Sequence, residues 1–404
     1  MEYWDVNVPR CMSPGQAQAI RSALEEAESN PGLLCDFDGE GAVGELEGRF
    51  ARLCGARHAL AVTSGTAAIH AGLLAAGVGK GDEVITTPYS WPQTVSPIIF
   101  TGATPVFADI LPGTLHLDVD SVRRRLSRKT KAILVTHLFG HVADMPSLEQ
   151  LAKDAGVVLI ADAAHALSAS LHGGPVGSRG DMACFSLGRG KLLNAGEGGI
   201  LVTNDPVLHE RAVALTQHPE RLWWLTGERG TGLGLNYRLH PLVALLATAG
   251  LSDIRARLAH RREMYNAFWE GAGEDILELV QPQSCIPGED PAVHAIPLTL
   301  AADVDREDLC YLAQSRGATL RCGPVGTPLH YRLGKSYGPR PPRHPSHRKG
   351  SCPVAEERCR QRELWVMSSL DMDSFIPDVA WEMGKAVASA VKELAGASQT
   401  VEVL

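Results

Sequence analysis

Between residues 58 and 205 the chain alternates short apolar runs with helix-period segments, and this alternation restricts the fold more than any other feature. "HALAVT" (58–63), "DEVITTP" (82–88), "TPVFADI" (104–110), "KAILVTHL" (131–138), "GVVLIADAA" (156–164) and "GGILVTND" (198–205) read as strands. "GTAAIHAGLLAAG" (65–77), "QTVSPIIFTG" (93–102) and the stretch around "MPSLEQLAKDAG" read as helices between them. Apolar runs of this kind are buried on both faces, which means βα units and a mostly parallel sheet flanked by helices. Ligands bind beyond the carboxyl ends of such strands. Residues just after each strand are therefore the first candidates for chemistry.

The pattern changes near residue 245. "LVALLATAGLSDIRARLAHRREMYNAFWEGAG" reads as one long amphipathic helix, with room for a break. "VHAIPLTLA", "EDLCYLAQSRG", "ATLRCGPV" and a final helix "AWEMGKAVASAVKELAGA" follow and form a smaller α+β unit. The expected division is an N-terminal arm at 1–11, a large α/β domain at 12–245 and a small α+β domain at 246–404. The net charge of −8 gives no electrostatic support for nucleic-acid binding. The basic clusters "SVRRRLSRKTK" and "RPPRHPSHRKG" read as a solvated helix face and a loop. Nine cysteines, with no C-x-x-C pair, argue against a disulfide framework or a zinc site and for a reducing compartment. The first ten residues are polar and charged, and no apolar run reaches the ~18 residues of a membrane span. The expectation is a cytoplasmic protein without a membrane partner.

"SLGRGKLLNAGEGG" (186–199) places one lysine, Lys191, among glycines. A phosphate-binding loop of the G-x-x-x-x-G-K-[ST] type needs Gly at 185 and a hydroxyl at 192, where this chain has Phe185 and Leu192. That reading is rejected, which leaves a Schiff-base amine. Pyridoxal phosphate (PLP) asks a protein for such a lysine, an acid for the pyridine nitrogen, a phosphate cup and a flat stacking partner. Asp162, just after "VVLI", is the candidate acid, although an aspartate there could also cap the next helix. "TSGTAA" (63–68) is the candidate cup, because Gly65 admits an anion to a helix N-terminus and Thr66 adds a hydroxyl. Ordinary N-caps use the same residues. Ser186 could add a second hydroxyl, and Trp91 in "TPYSWPQT" could stack on the ring or serve as a core or interface residue. His137 and His141 in "HLFGH" have a metal-ligand spacing on a helix, but the Phe-Gly pair after a strand favours a turn, so no metal is expected. "GAVGEL" (41–46) follows no strand and is not a dinucleotide fingerprint.

These residues together resemble the DegT/DnrJ/EryC1/StrS aminotransferases, PLP enzymes of fold type I. The resemblance runs from about residue 12 to 375 through "VTSGTAAI", "GDEVITTPYSWPQT", "GATPVFADI", "ADAAHALSA", "SLGRGKLLNAGEGGILVTND", "GLNYRL", "PLH" (328–330) and "CPVAEE". It implies that Lys191 is the Schiff-base lysine and the proton-transfer base, and that Asp162 pairs with the pyridine nitrogen. It also implies that His165 sits near the cofactor's 3′-oxygen, that Thr66, Ala67 and Ser186 hold the phosphate, and that Trp91 stacks on the ring. Asn236 matches the family asparagine that reaches the phosphate from a neighbouring subunit, which implies a homodimer with shared sites. Arg238, Trp223 in "LWWLTGERG" (222–230) and His330 in "PLH" are candidates for facing substrate. Trp223 reads equally as interface packing. Ala161 and Leu187 depart from the usual family residues, and neither touches a group that the cofactor needs.

The function implied is transfer of an amino group from glutamate or glutamine to a keto sugar, keto cyclitol or related ketone, as in antibiotic-type biosynthesis. A PLP-dependent dehydratase or lyase on a similar substrate, or a non-catalytic regulator with the same fold, are the alternatives.

Overall fold

The computed structural model describes residues 12–401 other than 36, 229, 231, 303, 323–324, 334–338, 368–371 and 374. The expected arm at 1–11 lies outside the described residues, as does Arg229 of the 222–230 stretch. The central sheet has seven strands: β1 (His58–Val62), β2 (Glu83–Thr86), β3 (Thr104–Phe107), β4 (Thr130–Thr136), β5 (Val158–Asp162), β6 (Met182–Ser186) and β7 (Gly199–Thr203). Their spatial order is β1-β7-β6-β5-β4-β2-β3. All neighbours are parallel except where β7 runs against β1 and β6. The six strands read from sequence are present, and β6 is added to them. "MACFS" is short and built partly from Ala and Cys, so its pattern alone is weak.

Helices cover both faces of the sheet. On one face Ala68, Leu73 and Leu201 belong to one buried cluster, and on the other Phe50, Val135, Leu159 and Phe185 belong to a second. Each connecting helix begins on a legible signal. Ser64 accepts the Ala67 N–H at 3.1 Å and starts α1 (Gly65–Ala75). Pro92 occupies the first position of α2 (Pro92–Phe100). Asp144 accepts the Ser147 N–H at 3.2 Å and starts α3 (Met145–Ala155). The register pairs Thr136 with Asp162, and Asp162 with Cys184, so the carboxyl ends of the central strands stand level.

The apolar stretch after residue 240 is two helices, α5 (Pro241–Gly250) and α6 (Ile254–Ala272), separated by a 3-10 turn at Leu251–Asp253. Ala244, Ala247 and Ile254 pack in the core of the large sheet, whereas Met264 and Phe268 pack in a second core. That second core includes a four-stranded antiparallel sheet of β8 (Val280–Pro282), β9 (Pro297–Leu300), β10 (Arg321–Cys322) and β11 (Glu363–Trp365), in the order β8-β9-β11-β10. Helix α7 (Pro377–Val401) lies along α6 and contributes Ala380, Val387 and Val391. No helix among the described residues is long and apolar enough to cross a membrane.

Candidate active site

A cavity of about 280 Å³ opens at the carboxyl ends of β2, β4, β5 and β6. Its lining includes Gly65, Thr66, Trp91, Asp162, His165, Ser186 and Lys191, so seven of the residues picked from sequence converge there.

Asp162 is the last residue of β5 and is 6% exposed. Its Oδ2 accepts the Thr94 hydroxyl at 2.7 Å, and its Oδ1 accepts the Ala164 N–H at 3.2 Å. Ser90 extends the chain to Thr94 at 2.8 Å. Burial raises the Asp162 pKa, while the Thr94 and Ala164 bonds and the charge of Lys191 pull it back. Such a carboxylate gains most from a cation placed against it. No helix follows Asp162, so the capping alternative does not hold as such: Oδ1 accepts from Ala164 in a turn, and the carboxylate lines the cavity.

His165 accepts the Phe139 N–H at its Nδ1, 3.3 Å away. In a neutral ring that puts the proton on Nε2, which makes His165 a donor there. His294 stacks on it with ring centroids 3.8 Å apart and planes 10° from parallel. Burial holds both imidazoles well below their ordinary pKa, with Lys191 and Arg261 adding to the shift. The Phe139 turn is the one anticipated over "HLFGH", a 3-10 turn at Leu138–Gly140. His137 and His141 do not share a ligand there. His137 Nδ1 accepts the Ala143 N–H, and His141 Nδ1 lies 3.0 Å from Glu289.

Gly65 and Ser186 form the other end of the cavity. A Cβ on Gly65 would come within 2.9 Å of the Ser186 Cβ, so the helix start can sit against β6 only with glycine there. The first N–H groups of α1 have no partner within the helix. Ser186 accepts the Gly188 N–H at 3.2 Å, and its hydroxyl can donate to a further oxygen. Ala67 differs from the expectation in one respect: its N–H is engaged by Ser64, and it is not among the cavity-lining residues.

Lys191 follows on the loop after β6. Burial, opposed by Asp162 and aided by Arg261, pushes its pKa down to about 8. A substantial fraction of free amine is therefore present near neutrality, as a Schiff-base nucleophile requires. Trp91 caps α2, is 38% exposed and lines the cavity.

Four candidates lie elsewhere in the chain. Asn236 is exposed and accepts Arg238 Nε at 2.8 Å, while the Arg238 guanidinium sits over the Phe37 ring at 4.8 Å. Trp223 stands exposed on helix α4 (Pro219–Thr226), which precedes α5, and meets Trp224 edge-on. His330 does not reach the cavity at all. It is 2% exposed and paired with Glu356 at 2.9 Å. Glu356 also takes the Tyr331 hydroxyl at 2.5 Å. That pairing engages Nε2, Nδ1 is buried without a partner among the described residues, and the ring is not among those lining the cavity.

Thr94, Thr136, Arg189, Glu197 and His294 were not singled out from sequence. Thr136 Oγ1 is buried against the cavity without a partner among the described residues. An orphan hydroxyl, a glycine-lined helix start and a buried acid on one cavity wall fit a ligand with several polar atoms, and PLP has the matching set.

These features make an α/β protein with a buried lysine and a buried acid facing one cavity at the carboxyl edge of its sheet. The model of the DegT/DnrJ/EryC1/StrS aminotransferase family matches residues 37–374. The chain belongs to that family. It is 32% identical to the pleiotropic regulatory protein of Geobacillus stearothermophilus, over 88% of this chain and 92% of that one. It is 35% identical to the GDP-perosamine synthase of Caulobacter vibrioides over 54% of this chain, and the match spans only 59% of the synthase. With L-glutamine:2-deoxy-scyllo-inosose aminotransferase of Streptomyces kanamyceticus it shares 36% identity, over 61% of this chain and 60% of that enzyme. Among solved structures, 3-amino-5-hydroxybenzoic acid synthase superposes with a TM-score of 0.81 at 25% identity, covering 95% of this chain and 98% of that one. The fold is that of the type I PLP-dependent transferases.

Proposed function

We propose that the protein is a PLP-dependent aminotransferase that moves the amino group of glutamate or glutamine to a keto sugar, keto cyclitol or related ketone in secondary-metabolite or surface-glycan biosynthesis. The observation that carries this reading is the convergence of Lys191, Asp162, His165 and the Gly65–Ser186 wall on one cavity. The named relatives that act on sugars and a cyclitol support the acceptor class.

PLP, when bound, supplies an aldehyde for amine exchange and a ring that takes up electrons. Lys191 would hold the aldehyde and, once released, carry the proton between the two carbons involved. Its lowered pKa suits both directions of that transfer. Asp162 would hold the ring nitrogen protonated, with Thr94 fixing the carboxylate's orientation. His165 would donate from Nε2 to the ring's oxygen. Gly65, Thr66 and Ser186 would take the phosphate, and Trp91 would cover the ring.

The same reading makes the enzyme a homodimer with sites shared between subunits. Asn236 and Arg238 stand away from their own chain's cavity, and Trp223, Trp224, Leu225, Leu233 and Leu235 are exposed beside them in sequence. An apolar surface of this extent suits a second copy of the chain. Thiols at Cys35, Cys54, Cys184, Cys285, Cys352 and Cys359, outside any disulfide among the described residues, suit a reducing cytoplasm.

The test is a pair of half-reactions. The PLP-loaded protein is mixed with glutamate or glutamine, and loss of the visible cofactor band is followed. Keto sugars, keto cyclitols and simple keto acids are then screened for return of the band. Loss with one donor and return with a cyclic ketone is the expected outcome. A band that never responds to any donor would overturn the aminotransferase reading in favour of a regulator.

A further inference from the structure

Outside the residues that line the cavity, Arg261 on α6 is the largest wholly buried side chain, 1% exposed. Its Nε and Nη2 each lie 2.7 Å from an oxygen of Asp373, a two-point grip on one carboxylate. Nη2 also donates to the Gly190 carbonyl at 3.2 Å. Gly190 precedes Lys191 and has φ +83°, a conformation that aims this carbonyl and that other residues rarely adopt. Arg257, one turn earlier on α6, adds a 2.9 Å bond to Asp373 from a more exposed position.

Three separate parts of the chain thus meet behind the lysine loop. A buried ion pair is weak evidence for stability, because apolar residues of similar volume often serve as well. Its neighbours on α6, Met264 and Phe268, fill the core in that apolar way. The charge at 261 needs another reason, and the Gly190 carbonyl supplies one.

We propose that Arg261, clamped by Asp373, is a positioning residue for Lys191: it fixes the Gly190–Lys191 turn through the Gly190 carbonyl and places a balanced positive charge beside the lysine amine. This rests on the reading of Lys191 as the amine that PLP takes. The groups around that amine are Asp162 at the end of β5, His165 and His294 in their stack, Arg261 from α6, and Arg189 and Glu197 on its own loop. Asp162 favours the charged amine, and Arg261 disfavours it. Asp373 tempers Arg261.

Two substitutions should therefore act in opposite directions. The full-length, PLP-loaded protein is titrated by its visible band, and Lys191 in the PLP-free protein is titrated by competitive acylation mapped by mass spectrometry. Arg261→Gln removes the positive charge beside the lysine, leaving Asp373 with Arg257 alone, and should raise both midpoints, by about one pH unit. Asp373→Asn leaves Arg261 unbalanced and should lower them. Arg257→Gln should move them less than either. A purely structural ion pair would lower thermal stability in both variants while leaving the midpoints fixed or moving them together, and that result overturns the proposal. If Arg261→Gln does not fold, Arg261→Lys and Asp373→Asn decide: the first should keep the wild-type midpoint and the second should lower it, and any other result overturns the proposal. Failure of the wild type to take PLP at Lys191 would instead count against the proposed function, since acylation still reads the effect of Arg261 without cofactor.

Discussion

The edge of the sheet around Lys191 gathers seven candidate residues in one cavity, whereas the three in the outward segment from 219 to 240 line no part of it. Strand ends are held level by register, so Thr136, Asp162 and Ser186 are delivered to one place by the backbone itself. The outward segment is also held by its backbone, through Leu235 and Tyr237 to residues 215–216 and through Arg238 to Val62, but this does not bring its side chains to the cavity. The Asn236 side chain accepts Arg238 Nε, and Trp223 meets Trp224. Under the proposed dimer, Asn236 would act in the cavity of the second copy.

The sharpest way to break this comparison is to inactivate each region separately and mix. Lys191→Ala should lower turnover by at least ~10³-fold, since it removes both nucleophile and proton carrier. Asn236→Asp should also abolish useful activity if the phosphate of a partner's cofactor meets the new charge. Mixed and reassembled, the two dead variants should recover about a quarter of wild-type activity, because half the dimers would hold one intact site. No recovery, from chains shown to have exchanged, would confine the site to one subunit.

A smaller effect is expected inside the cavity. Thr94→Val removes one bond to Asp162 and should cost turnover about tenfold, with PLP still bound. A loss as large as that of Lys191→Ala would mean that the threonine does more than orient the acid. The smallest catalytic effect should come from His330→Gln. Its ring is paired with Glu356 away from the cavity, so activity should stay within about twofold while the melting temperature falls by a few degrees. A selective loss of kcat at unchanged melting temperature would return His330 to the site.

The legible part of the molecule depended on short-range signals. Asp162 follows four consecutive apolar residues, Ser64 and Gly65 mark a helix start, and Lys191 stands in a glycine-rich loop. The residues that escaped notice act at long range. Thr94 reaches Asp162 across 68 positions, and Arg261 reaches Asp373 across 112. Strand β6 escaped because five residues with little β-branching resemble a loop, although it carries Ser186 to its place. His330 has a distinctive motif but stands outside the cavity, paired with Glu356.

The sequence by itself determined the βα alternation, the division of apolar faces and the choice of Lys191 and Asp162 as candidates, because periodicity and strand-end position are local properties. Only the tertiary structure decided which polar groups orient that acid, which ring backs His165 and which charge stands behind Lys191. Those depend on where distant segments meet, and one residue's burial there sets another's proton affinity.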